Sequence, residues 1–342
     1  MNATNDLLRA LGKAATIFPL IFKPMISIRG SGLRIVYYHM IGDKEKEYYT
    51  SKSYISVDDF QKQIDFLKYN FQYISLSNAI SKYYSGENLD GYFTITTDDG
   101  FQENYTDIAP MLIENDLRAT IFLVTNCIDN KNLMWRNKLH IISKKIDIIN
   151  QHEAAKACGD YFKINSIKKD ESLLKWSTRT WPMNKKDKAA DFIWDFSKLE
   201  RLDSYLEYHE PYLNTNQINE LIDNGFDIGS HSKSHPYFGK LTYMELCDEI
   251  LGSINYIKEN FSNKGSNILS LPFGNKISDK NKSDLLKNYP DDFKSILGIH
   301  SAINNNNDPK NWQRDLFELD YHLSIGTFTI IPIIRKIINL FR

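Results

Sequence analysis

Cysteine is scarce: the 342 residues contain three, Cys127, Cys158 and Cys247, widely separated and in no C-x-x-C pattern. A set this sparse and odd in number argues against a disulfide framework and points to a reducing compartment. An excess of positive charge is also lacking. Lys and Arg number 42 against 43 Asp and Glu, a net charge of −1, so no field gathers a phosphate backbone and nucleic acid is not expected as a partner. No apolar run reaches the roughly 20 residues that span a bilayer. The nearest, "AATIFPLIF" at 14–22, is broken by Pro19 and ends at Lys23 with no clean small-residue cleavage site, so a cleavable signal peptide is not expected. Internal repeats are missing, and the one low-complexity stretch, four Asn at 304–307, signals a loop.

What is present is an alternation of short apolar runs with helical patterns. "LRIVYYH" (33–39), "QYISL" (72–76), "GYFTITT" (91–97), "ATIFLV" (119–124), "FDIGS" (226–230), "NILSL" (267–271) and "FKSILGI" (293–299) read as buried parallel strands. Between them lie helices: an S-x-x-D start at Ser56 followed by Phe60, Ile64, Leu67 and Phe71 at helical spacing, then "NAISKYY", "APMLIEND", "NQINELIDN" and the long 242–261 stretch. Strand and helix alternating at this spacing predict a parallel sheet, and the number of units favours closure into an α/β barrel. Residues 128–212 break the rhythm. Rich in Lys, Asp and Trp, they predict a mainly helical insertion beside or above the site. The expected organisation is an N-terminal amphipathic segment (1–32), a barrel domain (33–325) and an amphipathic tail (326–342), the two ends packing on the domain or lying on a membrane surface.

Strand ends of such a barrel converge at its C-terminal face, and polar motifs sit there. Asp98 and Asp99 follow one strand, His231 and His235 another, and Pro272-Phe273-Gly274 a third. Histidines at i and i+4 share one face of a helical turn and can grip one cation; with Asp99 as third ligand they leave a position open for water, the arrangement of a catalytic zinc site. H-x-x-x-H alone is weak evidence and Asp-Gly alone is a common turn. Their order, each at a strand end, gives the set its weight.

"TTDDG" (96–100), "HSKSH" (231–235) and "LPFG" (271–274) resemble the first three motifs of the polysaccharide deacetylases, the NodB-homology group or carbohydrate esterase family four. "YYH" at 37–39 and "LNTNQINELIDNGFDIGSHSKSHPYF" are similar to that family as well, so the resemblance covers about 33–320, apart from the insertion. It implies a distorted (β/α)7 barrel and metal-dependent removal of acetyl groups from N-acetylated sugars. Asp98 would be the general base, Asp99, His231 and His235 the ligands of a divalent ion, commonly zinc, and the Phe273 N–H a donor to the oxyanion. A cation also explains how two adjacent carboxylates share one pocket, because it neutralises one and leaves the other to take a proton.

The chain departs from the family in two places. Ser270 stands where many members carry an Arg that orients the catalytic Asp, and Arg314 is the candidate to supply that charge from another strand end. The family's general-acid His has no firm match, which leaves His39, at the end of the first strand, and His322, in "LDYHLSI". Trp176 and Trp181, flanked by polar residues, are candidates for a sugar-stacking platform, with core packing as the alternative. The expected partner is an acetylated glycan or glycan precursor of a bacterial surface, with action in the cytoplasm or at the inner membrane face. An O-acetyl esterase and a non-catalytic glycan-binding barrel are the alternatives.

Overall fold

The computed structural model describes residues 2–17, 32–42, 46–49, 55–262, 265–274, 277–304 and 307–340, with side chains from residue 4 to residue 331. The second half of "AATIFPLIF" and the middle of the Asn run therefore lie outside the described residues. The sheet strands are β1 (Arg34–Tyr38), β2 (Gln72–Tyr73), β3 (Tyr92–Thr97), β4 (Ala119–Leu123), β5 (Asp227–Ser230), β6 (Ile268–Ser270), β7 (Ser295–Leu297) and β8 (Asp315–Leu316). All pair in parallel in the order β7-β6-β5-β4-β3-β1-β8, with β2 added on β3. A parallel bridge between Gly298 and Gln313 brings the two ends of that order together, and the Arg314 N–H donates to the Gly298 carbonyl at 3.0 Å. The result is the expected barrel-like α/β fold.

Helices follow their sequence signals. In α2 (Val57–Asn70) the Ser56 hydroxyl accepts from the Asp59 N–H. Capping boxes start the helix Thr215–Asp223, from Asn214 and Gln217, and the helix Tyr243–Asn260, from Thr242 and Glu245; each such cap is worth about 1 kcal/mol. Phe60, Ile64 and Leu67 of α2 then bury against the outer face of the sheet with Val36, Tyr38, Phe93 and Ile95. Side chains of a strand alternate between its two faces. Accordingly the Tyr38 hydroxyl turns outward to Gln63 of α2, while Tyr37 and His39 line the cavity at the inner face.

The insertion is built on five α-helices: Trp135–Lys145, Ile148–Phe162, Leu173–Thr180, Lys186–Phe196 and Leu202–His209. It has its own core, built on Trp135, Trp176, Trp181 and Trp194, none more than 1% exposed. At the opposite extremity of the chain, α1 (Asn2–Ile17) packs on the last helix, Tyr321–Leu340. The approach is close enough that a Cβ on Gly12 would fall 1.8 Å from the His322 carbonyl oxygen, so a larger residue there would push the helices apart. Among the described residues no helix is long and apolar enough to cross a membrane.

Candidate metal centre and active site

β3 ends in Asp98 and Asp99, and the two carboxylates part company at the backbone. Asp98 continues the strand register, its N–H donating to the Tyr38 carbonyl at 2.9 Å. Asp99 then turns into the left-handed region at φ 71°, which Asp tolerates better than most residues, and this aims its side chain at β5. The "HSKSH" segment is not the helical turn its spacing suggests. Ser232 and His235 both have positive φ, 70° and 55°; the loop is held from outside, the Ser232 and Lys233 carbonyls accepting from the Thr125 and Asn126 N–H groups, and from within, the His235 N–H donating to Ser232 Oγ at 2.9 Å. Two left-handed residues, rather than one turn of helix, fold the imidazoles toward each other.

The convergence is tight. Nε2 of His231 and Nε2 of His235 are 3.2 Å apart and stand 3.5 and 3.4 Å from Asp99 Oδ1. A tetrahedral ion with bonds of about 2.05 Å to its ligands spaces them about 3.3 Å apart, so this triangle has the size of a zinc coordination face. The His231 Nδ1–H must donate to the Ser270 carbonyl, 2.9 Å away, because a carbonyl only accepts; this leaves the Nε2 lone pair free for a metal. Asp99 Oδ1 is buried with no hydrogen-bond partner, a costly condition that a cation would relieve. Burial raises the Asp99 pKa, and the charges of Asp98 and Glu318 add to the rise against the opposing fields of His39 and His231. His235 is held well below its ordinary value by burial, then by His231 and Arg136, so it presents a neutral imidazole. Asp99, His231 and His235 fit a divalent ion.

Asp98 stands beside this triangle, Oδ2 3.9 Å from His231 Nε2. Arg314 grips it with both arms, Nη1 to Oδ1 at 2.7 Å and Nη2 to Oδ2 at 2.8 Å. Ser270 joins the same group: its Oγ donates to Asp98 Oδ1 at 3.1 Å and accepts from Arg314 Nη2 at 2.7 Å. The serine at the missing-Arg position thus leaves the space the guanidinium of Arg314 fills. Burial alone would raise the Asp98 pKa, but the charges of Arg314 and His231 and the bonds from Arg314 hold it below the ordinary carboxylate range.

His39 also belongs to the site. Its Nδ1–H donates to Glu318 Oε2 at 2.9 Å, and Glu318 Oε1 accepts the Met40 N–H at 2.8 Å. Burial pulls His39 down, yet the charge and hydrogen bond of Glu318, with Asp99 and Asp98 behind, push it up to about 9. Glu318 was not singled out from the sequence. The signal was there in the period of two: Arg314, Leu316 and Glu318 share one side of an extended segment, and Arg314 already pointed inward.

His39, Asp98, Asp99, His231, His235, Phe273 and Gly274 line one cavity of about 250 Å³, together with Tyr37 and Leu271. Phe273 (φ 56°) and Gly274 (φ 58°) make the tight turn after β6, and a Cβ on Gly274 would lie 2.0 Å from Ile299 Cγ1. Pro272 is buried in that turn and does not line the cavity. Three expectations need correction. His322 lies outside the site, because Asp320 caps the final helix by accepting the Leu323 N–H and the chain runs off toward α1. Trp176, in the helix Leu173–Thr180, and Trp181, the extended residue that ends it, are 0% and 1% exposed and edge-to-face with each other at 5.4 Å; both rings are shut into the core of the insertion, and neither can meet a sugar. The aromatic side chains that line the cavity are instead Tyr37, Tyr49 and Phe273, the last stacked on Tyr237 at 4.3 Å.

Among curated proteins none matches this chain. A family profile, polysaccharide deacetylase, matches residues 179–290. Several solved structures share the fold at low identity. IcaB from Ammonifex degensii aligns with a TM-score of 0.54 at 14% identity, covering 87% of this chain and 97% of that one. A Streptococcus pyogenes deacetylase, PplD, solved with acetate, aligns at 0.52 and 13%, covering 83% and 91%. A de-N-acetylase from Aggregatibacter actinomycetemcomitans aligns at 0.52 and 14%, covering 84% and 95%.

Proposed function

We propose, from the premise that this chain carries a polysaccharide deacetylase domain of the NodB type, that it hydrolyses the N-acetyl group of an acetylated glycan or glycan precursor with Asp99, His231 and His235 holding a divalent ion, zinc by donor type. Zinc bound there would polarise the acetyl carbonyl and acidify a water in the same cavity. Asp98 is the base of this reading. Its Oδ1 is engaged by both Arg314 and Ser270, while Oδ2 has one partner and faces the ligand triangle, so Oδ2 receives the water's proton. Arg314 keeps the carboxylate ionised and aimed. The Phe273 N–H, in its left-handed turn, serves the oxyanion. An amine leaves only when protonated, and His39, held as imidazolium by Glu318, offers that proton from Nε2. Acetate departs and a free amine stays on the sugar.

The observation that carries this reading is the triangle of 3.2, 3.4 and 3.5 Å with a separate, ionised carboxylate beside it. The test is Asp98→Asn, measured for bound zinc and for acetate released from N-acetylglucosamine oligomers. A variant that keeps its metal and loses acetate release supports the assignment; one that releases acetate at the wild-type rate removes Asp98 from the mechanism. Paired N- and O-acetylated sugars distinguish amide from ester cleavage.

The proposed location is the face of an anionic membrane. Residues 7–31 and 321–342 hold seven of the 42 Lys and Arg and none of the 43 Asp and Glu, which leaves 35 cations against 43 acids in the rest. On α1, Leu7, Ala10 and Ile17 are exposed at helical spacing beside Lys13 and beside Arg9, whose guanidinium is paired with Asp320 and Asp6 just outside these segments. Apolar side chains flanked by cations suit an anionic lipid surface. Sedimentation with phosphatidylglycerol vesicles, weakened by salt and absent with phosphatidylcholine, is the expected result; recovery with neither vesicle, or equal recovery with both, refutes it.

A further inference from the structure

The cavity has two walls, one from the barrel and one from the insertion, which contributes Met134, Arg136 and Asn137. On the barrel side each fixed cation has its carboxylate, and the one unpartnered carboxylate oxygen, Asp99 Oδ1, belongs to the ligand triangle. Asp98 is paired with Arg314, His39 with Glu318, and Asp99 faces the two histidines. Arg136 is different. Its Nη1 donates to the Tyr237 hydroxyl at 2.6 Å and to Thr178 Oγ1 at 3.3 Å, both uncharged. Among the described residues no carboxylate lies within ion-pair distance of it, and its Nε and Nη2 have no protein acceptor. The guanidinium carbon sits 5.0 Å from the Phe273 ring centroid and 5.6 Å from that of Trp135, so the fork lies beside these rings at the cavity wall.

A half-buried cation with donors to spare is costly to leave without an acceptor on a cavity wall. Rigid guanidinium forks match carboxylate and phosphate oxygens in pairs. The backbone adds to this: Arg136 stands in the first turn of the helix Trp135–Lys145, which no side chain caps, so the positive end of that helix also faces the cavity. Trp135 fixes the position of the whole turn, its Nε1–H donating to the His235 carbonyl at 3.0 Å. The anchor of the insertion is therefore bonded to the loop that carries the metal ligands, and Arg136 is the next residue.

We propose that Arg136 is a specificity residue and that the substrate is an acidic glycan: an acetamido sugar with a carboxylate or phosphate close to the acetamido group, bound by the guanidinium. This inference rests on the cavity being the deacetylase site. The experiment is calorimetric binding to the zinc-loaded protein of three probes: neutral tri-N-acetylchitotriose, N-acetylmuramic acid for the carboxylate, and N-acetylglucosamine 1-phosphate for the phosphate. Acetate release is followed in parallel. Wild type should bind one acidic probe about tenfold to a hundredfold more tightly than the neutral one, the range of a charge-assisted bond, and the probe preferred identifies the anion. Arg136→Gln should collapse that ratio toward one, Arg136→Lys should restore part of it, and rising salt should erode it in the wild type, a readout independent of the variants' folding. Equal affinity for all three probes in the wild type, or a loss in Arg136→Gln that is the same for all three, would overturn the proposal and leave Arg136 as a brace for Tyr237. A preserved ratio with no acetate from any probe would sink the deacetylase reading and leave Arg136 as an anion-binding residue.

Discussion

Replacing Arg314 by Met tests the centre of the site. The guanidinium is 0% exposed and Asp98 2%, and the guanidinium carbon lies 4.6 Å from the Tyr37 ring centroid and 5.6 Å from that of Phe122, so an unbranched apolar side chain can occupy the slot and the loss is chiefly of charge. Removing one partner of a buried pair costs about 3–5 kcal/mol. Ser270 alone, at 3.1 Å, then remains to solvate the carboxylate. In the wild type the folded-state pKa of Asp98 is depressed, so its contribution to stability is present above the unfolded pKa and is lost as the pH falls through the folded value. Without Arg314 the sign reverses: burial, the first cause acting on Asp98, raises its pKa above the unfolded value, the charged form is penalised near neutrality, and acid relieves the penalty. The stability gap between wild type and Arg314→Met, measured by denaturant unfolding of the metal-free proteins from about pH 8 to about pH 4, should therefore be widest at the alkaline end and narrow on acidification. A cycle with Asp98→Asn should return a coupling of about 1–3 kcal/mol. Acetate release should fall about a hundredfold at unchanged zinc content, as expected for a misaimed base. A gap within about 0.5 kcal/mol at every pH would refute the reasoning.

Asp99→Ala or His235→Ala should weaken zinc binding by more than the ~10–100-fold that loss of an outer partner costs; competition with a chelating dye measures it, and unchanged affinity would dismiss the triangle. Because His39, the proposed proton donor, is pushed up to about 9, the rate should fall as pH rises through about 9. Glu318→Gln should move that alkaline limb to lower pH, and His39→Gln should abolish the limb and cut kcat by at least ~10²-fold; a limb that ignores both changes assigns the acid elsewhere. Trp176→Ala should destabilise the protein by about 3–5 kcal/mol with KM unaltered, and a rise in KM at full stability would restore the sugar-platform reading.

The alternation of apolar runs with helix starts was enough to read the barrel, because strand and helix periods are local properties of the chain, and Ser56, Asn214 and Thr242 announce their helices within four residues. The four central site residues were legible for a related reason: a strand end places whatever follows it at the mouth of the sheet. What only the tertiary structure decided depends on which segments lie side by side. "HSKSH" works through two left-handed residues braced by the Thr125 and Asn126 N–H groups just past β4 and by the Glu249 carbonyl of the Tyr243–Asn260 helix, which accepts the Lys233 N–H, not through helical spacing, and backbone sign cannot be read from side-chain order. Trp176 and Trp181 looked available because their sequence neighbours are polar, yet a second core closes over them. His39 and His322 were equal candidates until the register of β1 with β8 set His39 against Glu318, while Asp320 turned the chain away at His322. Arg314 reaches Asp98 across 216 residues of sequence, and contact at that range is a property of sheet closure, which no local pattern encodes.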